Sequence, residues 1–334
     1  MVFGTAVSSY FLYCANKRPT PAPVSPPKGK GPLNAVFITG CDSGFGKATS
    51  RLLADSNSVH VFAGCLTLKG VAALSKQPNI TPLLLDVTNE KSVGSAVSEI
   101  KSSSFRLLAI VNNAGIIVGG PADWNKPSTY SLAMSVNFGG VVNTTLAFLP
   151  LLRESCRTSG PIPRIINISS VNGIVPLPFV SAYAASKHAT EAFSRSLRLE
   201  LQSGLGSGVC KVRPFVTVIN PGTFKTEMAS GMTDSGMVGA FGNASLETQQ
   251  RYGGLTFVEK VTEAMTNNLK FAGDPSEVAD CIANAVLCRS PRRRYFVGRD
   301  AWLYWVVWGF VPEWAFEWAV EGVLGGMLRR MRNS

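Results

Sequence analysis

From Asn34 to about Gly298, runs rich in Val, Ile and Leu alternate with segments of helix length, and this alternation leaves few architectures open. The runs 35–39, 59–63, 82–85, 107–111, 164–168 and 216–219 read as strands; 47–55, 90–102, 128–152 and 183–202 read as helices between them. Strands separated by helices imply an α/β fold, a doubly wound parallel sheet with helices on both faces. Ligands of such sheets sit outside the carboxyl ends of the strands. At 334 residues the chain is long enough to bury a full core, and no internal repeat is visible.

The first strand runs into "VFITGCDSGFG", residues 36–46, a turn with glycines at 40, 44 and 46. Glycine admits positive φ, lets the backbone approach a ligand, and lets helix and strand pack closely. The helix that follows aims unpaired N–H groups and the positive end of its dipole into the turn, which suits a pyrophosphate. The spacing is not G-x-G-x-x-G, since three residues separate the first two glycines and one separates the last two. A tight turn without a ligand would use the same residues. Its place after the first strand of an alternating sheet is the one a dinucleotide requires.

Charge and cysteine usage narrow the partners. Lys plus Arg number 32 against 21 for Asp plus Glu, a net charge of +11 that suits an acidic partner, an anionic membrane surface or a phosphorylated cofactor. The basic clusters are short and scattered (Lys28 and Lys30, 292–294, 329–332), without the aromatic interleaving that grips single strands, so nucleic acid is not expected. The seven cysteines form no C-x-x-C pair and the chain has two histidines, so no metal site is expected.

Three further segments carry chemistry. "LLLDVT" puts Asp86 at the end of a strand, "VNNAG" puts Asn112, Asn113, Ala114 and Gly115 at the end of the next, and "INISS" sets Ser170 thirteen residues before Tyr183 of "YAASK". Lys187 follows Tyr183 by four, so on a helix the two share a face, and an ammonium beside the phenol favours its deprotonated form. Tyr183 would then take the proton of an alcohol while Ser170 holds the substrate oxygen.

Taken in order, these segments resemble the short-chain dehydrogenase/reductase family, whose T-G-x-x-x-G-x-G, D-x-x, N-N-A-G, Ser, Y-x-x-x-K and P-G motifs they match across 34–298. The resemblance implies a Rossmann-type single domain that transfers hydride between a nicotinamide cofactor and a carbinol. It assigns Asn137 of "SVNFGG", with Ser170, Tyr183 and Lys187, to the catalytic set; Asn137 matches the asparagine that retains a water linking the lysine to solvent. It assigns the cofactor to Gly40, Asp42, Ser43, Gly44, Phe45, Gly46, Cys65, Leu66, Asp86, Val87, Asn113, Ala114, Gly115, Tyr183 and Lys187, with Pro221, Gly222, Thr223 and Thr226 of "NPGTFKT" around the nicotinamide carboxamide. "FITGCDSGFG", "VFAGCLTLKG" and the tail "PRRRYFVGRDAWLYW" are most similar to the branch holding retinol dehydrogenases, type 2 17β- and 11β-hydroxysteroid dehydrogenases and D-β-hydroxybutyrate dehydrogenase. Two departures stand out: a longer lead into the sixth strand, 206–215, and "KHATEAFSRS" in place of the branch's more usual wording.

NAD is expected rather than NADP, because no base lies between Gly40 and Gly46 and the positions after the second strand are Cys65 and Leu66; Lys69 is the residue that would reach a 2′-phosphate. The substrate is expected to be a lipophilic alcohol, a hydroxysteroid or retinol. The loop 171–182, "VNGIVPLPFVSA", is apolar and without a cation, whereas 3-hydroxybutyrate, the rival substrate, needs its carboxylate neutralised. Lys225 and Arg251 of the lid, 224–260, are the residues that would supply that charge. A rival of another class is a membrane-attached binding protein on the same fold; the presence of all four catalytic residues favours the enzyme.

The ends of the chain are expected to touch a membrane. Residues 1–18 are an apolar segment too short to span a bilayer, 19–33 a Pro/Gly-rich linker, and 299–334 an aromatic stretch with five of the six tryptophans. Glu313, Glu317 and Glu321 form a polar stripe on an otherwise apolar helix followed by arginines, the pattern of a helix lying in a lipid interface. The same aromatics would also suit a pocket cover or a homodimer contact. The endoplasmic reticulum is the compartment expected, with the mitochondrion as the alternative.

Overall fold

The computed structural model describes residues 34–56, 58–205, 212–231 and 236–332. The apolar segment 1–18, the linker 19–33 and most of the long 206–215 lead lie outside the described residues. The chain runs β1 (Asn34–Thr39), α1 (Gly44–Asp55), β2 (His60–Cys65), α2 (Leu68–Leu74), β3 (Ile80–Leu84), α3 (Glu90–Ser102), β4 (Arg106–Asn112), α4 (Pro127–Met134), a π turn (Ser135–Gly139), α5 (Gly140–Ser155) and β5 (Arg164–Ile168). There follow α6 (Ser181–Ser203), β6 (Phe215–Pro221), α7 (Glu227–Gly231), α8 (Met237–Asn243), α9 (Leu246–Arg251), α10 (Leu255–Leu269), α11 (Pro275–Leu287), β7 (Arg294–Val297), α12 (Ala301–Phe310) and α13 (Glu313–Arg332).

The sheet is parallel throughout, in the order β3-β2-β1-β4-β5-β6-β7. Strand order reverses between β1 and β4, which creates the crevice where such sheets bind ligands. Both faces are covered, so β1 is buried along its whole length. Alternate residues feed two cores: Val36 and Ile38 pack with Leu53, Val278 and Ile282, while Ala35 and Phe37 pack with Phe148, Leu152 and Leu197. A third, smaller cluster joins Met237, Phe241 and Val258 of the lid to Trp124 and Val261, with Phe179 against it.

Two elements differ from the sequence reading. The single helix expected over 128–152 is α4 and α5 joined by the π turn, in which the Gly140 N–H bonds the Ser135 carbonyl. Asn137 causes this: its side chain pairs with both backbone groups of Ile116, and the extra residue in the turn accommodates that bond. The seventh strand, β7, has only four residues, none fully buried, so it lacks both a long apolar run and clean alternation. One stretch among the described residues, Pro127–Ser155, is long and apolar enough to cross a membrane. It carries buried Asn137 and packs Phe148 and Leu152 into the sheet, which marks it as a core helix.

Candidate active site

The glycine turn is built by close approach. A Cβ on Gly46 would stand 2.3 Å from the Gly40 carbonyl oxygen, and Gly40 itself has φ of +72° with a Cβ position 2.8 Å from Ala114 Cα. Asn113 locks the turn to the end of β4, its Nδ2 donating to the carbonyls of Thr39 and Gly40 at 2.9 and 3.0 Å. Thr39 Oγ1 in turn accepts from the N–H groups of Asn113 and Ala114, both at 3.0 Å. Ser43 is the N-cap of α1 but its side chain makes no capping bond, and the first turn holds no acid. The N–H groups of this helix end face a cradle, as an anion needs. Thr226 closes the space from the other side, 3.8 Å from the Cβ position of Gly44, and Phe45 meets Phe224 edge-on at 5.7 Å.

Asp42 has a role the sequence reading did not give it. Its carboxylate accepts from the N–H groups of Leu66 and Thr67 at 2.7 and 3.0 Å and from Thr67 Oγ1 at 2.6 Å. The glycine turn thus delivers an acid to the end of β2 and the start of α2, where the sequence shows only Cys65 and Leu66. Cys65 is buried and its thiol pushed up to about 11, while Leu66 is exposed. Lys47 acts on Cys65 from α1, and Lys69 is exposed. Beyond β3, Asp86 bonds Thr88 within its own turn and Val87 packs on Gly140.

The catalytic candidates converge at the ends of β4, β5 and β6. Tyr183 is buried and hydrogen-bonds Ser170; burial pushes its phenol up, and the bond to Ser170 draws it down. Lys187 lies one turn on, with Nζ 5.7 Å from the centroid of the Tyr183 ring and 2.8 Å from the Ile168 carbonyl. Burial lowers this ammonium to about 8, and Glu191 opposes the shift. Ser170 Oγ also accepts from the Asn172 N–H at 3.1 Å. Asn137 is fully buried: Oδ1 accepts from Ile116 N at 2.7 Å, Nδ2 donates to Ile116 O and to Ser186 Oγ at 2.9 Å each, and its carbonyl accepts from Thr190 Oγ1 at 3.0 Å. A Cβ on Gly115 would stand 3.1 Å from Asn137 Oδ1 and 3.6 Å from Lys187 Nζ, so the N-N-A-G backbone lies directly over the pair.

Three acids and bases absent from the expected site residues also bear on it. Asp300 Oδ2 accepts from the N–H and hydroxyl of Thr223, both at 2.9 Å, and its Oδ1 lies 2.0 Å from the Cβ position of Gly222. A side chain at 222 would displace the Asp300 carboxylate, and the segment Pro221–Gly222–Thr223 is tied to the root of α12. Glu191, buried, and Arg294, half-buried, form an ion pair behind Lys187. No local pattern announces either contact; the partners are brought together by β6 and β7. Among the described residues, no group of three or more His, Cys, Asp or Glu side chains could hold a metal ion.

A parallel sheet with an anion cradle at its switch point, beside a buried tyrosine and lysine, is the architecture of a nucleotide-dependent oxidoreductase. Residues 34–235 match the model of the short chain dehydrogenases, and the chain belongs to that family. It is 36% identical over 288 residues to retinol dehydrogenase 16 of Homo sapiens, covering 84% of this chain and 86% of that protein. It is 35% identical over 283 residues to 17-beta-hydroxysteroid dehydrogenase type 6 of Bos taurus, covering 83% of this chain and 84% of that protein. The relatives fall in the retinol and hydroxysteroid dehydrogenase branch read from the motifs. A short chain dehydrogenase/reductase from Burkholderia phymatum, solved with NAD, shares the fold with a TM-score of 0.65 at 19% identity, covering 83% of this chain and 93% of that one.

Proposed function

We propose that the protein is an NAD-dependent dehydrogenase that acts on a lipophilic alcohol of the hydroxysteroid or retinol class at a membrane surface, in the endoplasmic reticulum. The observation that carries this reading is the buried Ser170–Tyr183–Lys187 set beneath an apolar loop and lid. Two of the lid cations are turned outward: Lys225 is exposed, and Arg251 pairs with Glu247 at 2.9 Å, their side chains 63% and 83% exposed. A substrate carboxylate would find neither of these two as a partner, and burying it unpaired is costly. Trp124, Phe241 and Val258 instead form an apolar cluster against Phe179 of the 171–182 loop.

The chain's own groups divide the work. Tyr183 Oη takes the hydroxyl proton, Ser170 Oγ donates to the substrate oxygen, and the Lys187 ammonium stabilises the phenolate. Asn137 holds the Ile116 backbone against the pair and fixes the π turn that brings it there. NAD, when bound, supplies the hydride acceptor. The α1 end at Ser43, Gly44 and Gly46 would hold its pyrophosphate, and Asp42 supports NAD over NADP, since a carboxylate suits ribose hydroxyls and repels a 2′-phosphate.

The aromatic segment supports the membrane reading. Trp302 and Phe310 of α12 and Trp314 and Trp318 of α13 are half or more exposed, as interfacial anchors are. The function is tested by NAD reduction with purified full-length protein against estradiol, testosterone, corticosterone, retinol and D-3-hydroxybutyrate. Turnover of a steroid or retinol is expected. Turnover of hydroxybutyrate alone would overturn the lipophilic assignment.

A further inference from the structure

Asn220 stands at the end of β6, immediately before Pro221, and its side-chain amide reaches in two directions. Nδ2 donates to the Ser170 carbonyl at 2.9 Å and to Glu191 Oε1 at 2.6 Å; Oδ1 accepts from Arg294 Nη1 at 2.8 Å. Arg294 Nη2 completes the ring on Glu191 Oε2 at 2.6 Å. One ring of charge-assisted bonds therefore closes the helix bearing Tyr183 and Lys187 on β6 and β7, and the Asn220 amide ties the serine strand end to it. The side chains of Glu191 and Arg294 are 8% and 21% exposed. A buried pair is a poor way to gain stability, because apolar residues of similar volume pack as well without losing hydration.

We propose that Glu191 and Arg294 are positioning residues of the reaction centre, holding Ser170, the Tyr183–Lys187 face and the Pro221 segment in one register through Asn220. This rests on the dehydrogenase reading of the same site. Neither residue touches the space between Ser170 and Tyr183; each acts through another group. Glu191 is one helical turn from Lys187 and two from Tyr183, so its charge acts first on the ammonium.

The electrostatics agree with the geometry. Burial lowers the Lys187 ammonium, and Glu191 is the group that counters the shift. The charged and titratable groups around this face are Tyr183 and Glu191 on α6, Arg198 further along it, and Arg294 from β7; β5, β6 and the π turn contribute the neutral Ile168 carbonyl, Asn220 and Asn137. Removing the Glu191 charge leaves Lys187 with cations behind it and no anion. The ammonium loses its proton more readily, and the Tyr183 phenolate loses its counter-charge.

The test titrates Tyr183 in the NAD complex by ultraviolet difference absorbance of the phenolate, with Tyr183→Phe as the blank. Glu191→Gln is expected to raise the midpoint by about one pH unit and lower kcat about tenfold, leaving the dissociation constant for NADH within about threefold. Arg294→Lys keeps the charge on Glu191 but loses the arm to Asn220. It is expected to leave the midpoint in place and lower kcat several-fold. A Glu191→Gln protein that melts like the parent with an unmoved midpoint would overturn the proposal, as would one whose activity loss only tracks the fraction unfolded. If Glu191→Gln does not fold, wild-type kcat in Arg294→Lys overturns it. A parent protein that turns over no alcohol, with Glu191→Gln still shifting the midpoint as expected, removes the substrate reading and leaves the positioning role standing.

Discussion

Lys187 Nζ sits 5.7 Å from the centre of the Tyr183 ring while donating to the Ile168 carbonyl at 2.8 Å. The carbonyl fixes the ammonium at one end of the i, i+4 pair, so its charge stays beside the phenol rather than swinging to solvent. Ser170 holds the phenol from the other side.

Tyr183→Phe removes the phenolic oxygen that we propose takes the proton, and its bond to Ser170. Alcohol oxidation at pH 8 should fall by about 10²-fold or more, the usual range for a positioned base. Binding of NADH, followed by its fluorescence, should persist. Turnover near the parent rate would show that another group takes the proton.

Lys187 also makes stability depend on pH. Its native value is about 8, against about 10.4 in an unfolded chain. Between these values the unfolded state binds the proton and the native state does not, so stability at this site rises as pH climbs from about 8 to 10.4. Below 8 the full penalty of burying the ammonium is present. Relative to Lys187→Met, the parent should gain on the order of 3 kcal/mol across that window. Urea midpoints of the two proteins at several pH values would measure it, and parallel curves would contradict the burial of the charge.

Asp42→Arg should reverse the cofactor choice. The substitution replaces the acid at the end of β2 with a base at the same place, and also removes the acceptor of two backbone N–H groups. We expect kcat/KM for NAD over NADP to fall by at least tenfold, about 1.4 kcal/mol. A parent enzyme that prefers NADP would instead put Lys69 on the phosphate.

Arg164 is buried in β5 and donates to the carbonyls of Ala285, Val286 and Cys288 at the end of α11. A cation at this position satisfies helix-terminal oxygens and meets the negative end of the dipole. Arg164→Met should cost about 3 kcal/mol in urea unfolding, because the carbonyls are left without donors in the core. Cofactor affinity of the folded fraction should not change.

Deleting 312–334 should weaken membrane partitioning while sparing the domain. Asp300 is bonded to Thr223 and Ala301 is fully buried, so the cut must fall beyond α12. The full chain should partition with detergent or vesicles and the truncated chain less so. A full chain that stays in the aqueous phase would show that Trp314 and Trp318 pack against protein.

Much of the fold and the reacting groups could be read along the chain, because the signals are short-range. Six of the seven strands are apolar runs, the glycine turn is eleven consecutive residues, and Tyr183 and Lys187 share a face by helix spacing alone. Ser170 is legible only with the family motif beside it, since a serine at a strand end has no pattern of its own. The tertiary structure decided the rest. Asp42 reaches the end of β2 across 24 residues, Asp300 reaches Thr223 across 77, and Arg294 reaches Glu191 across 103. These contacts follow from strand order and register, and periodicity carries no record of either. The π turn at Asn137 is of the same kind: a helix-length apolar segment states where a helix is favoured, but the break comes from a bond to Ile116 that exists only once β4 and α4 are packed together. Local sequence sets which elements form and which groups can react; long-range packing sets the charges that surround those groups, and so how they react.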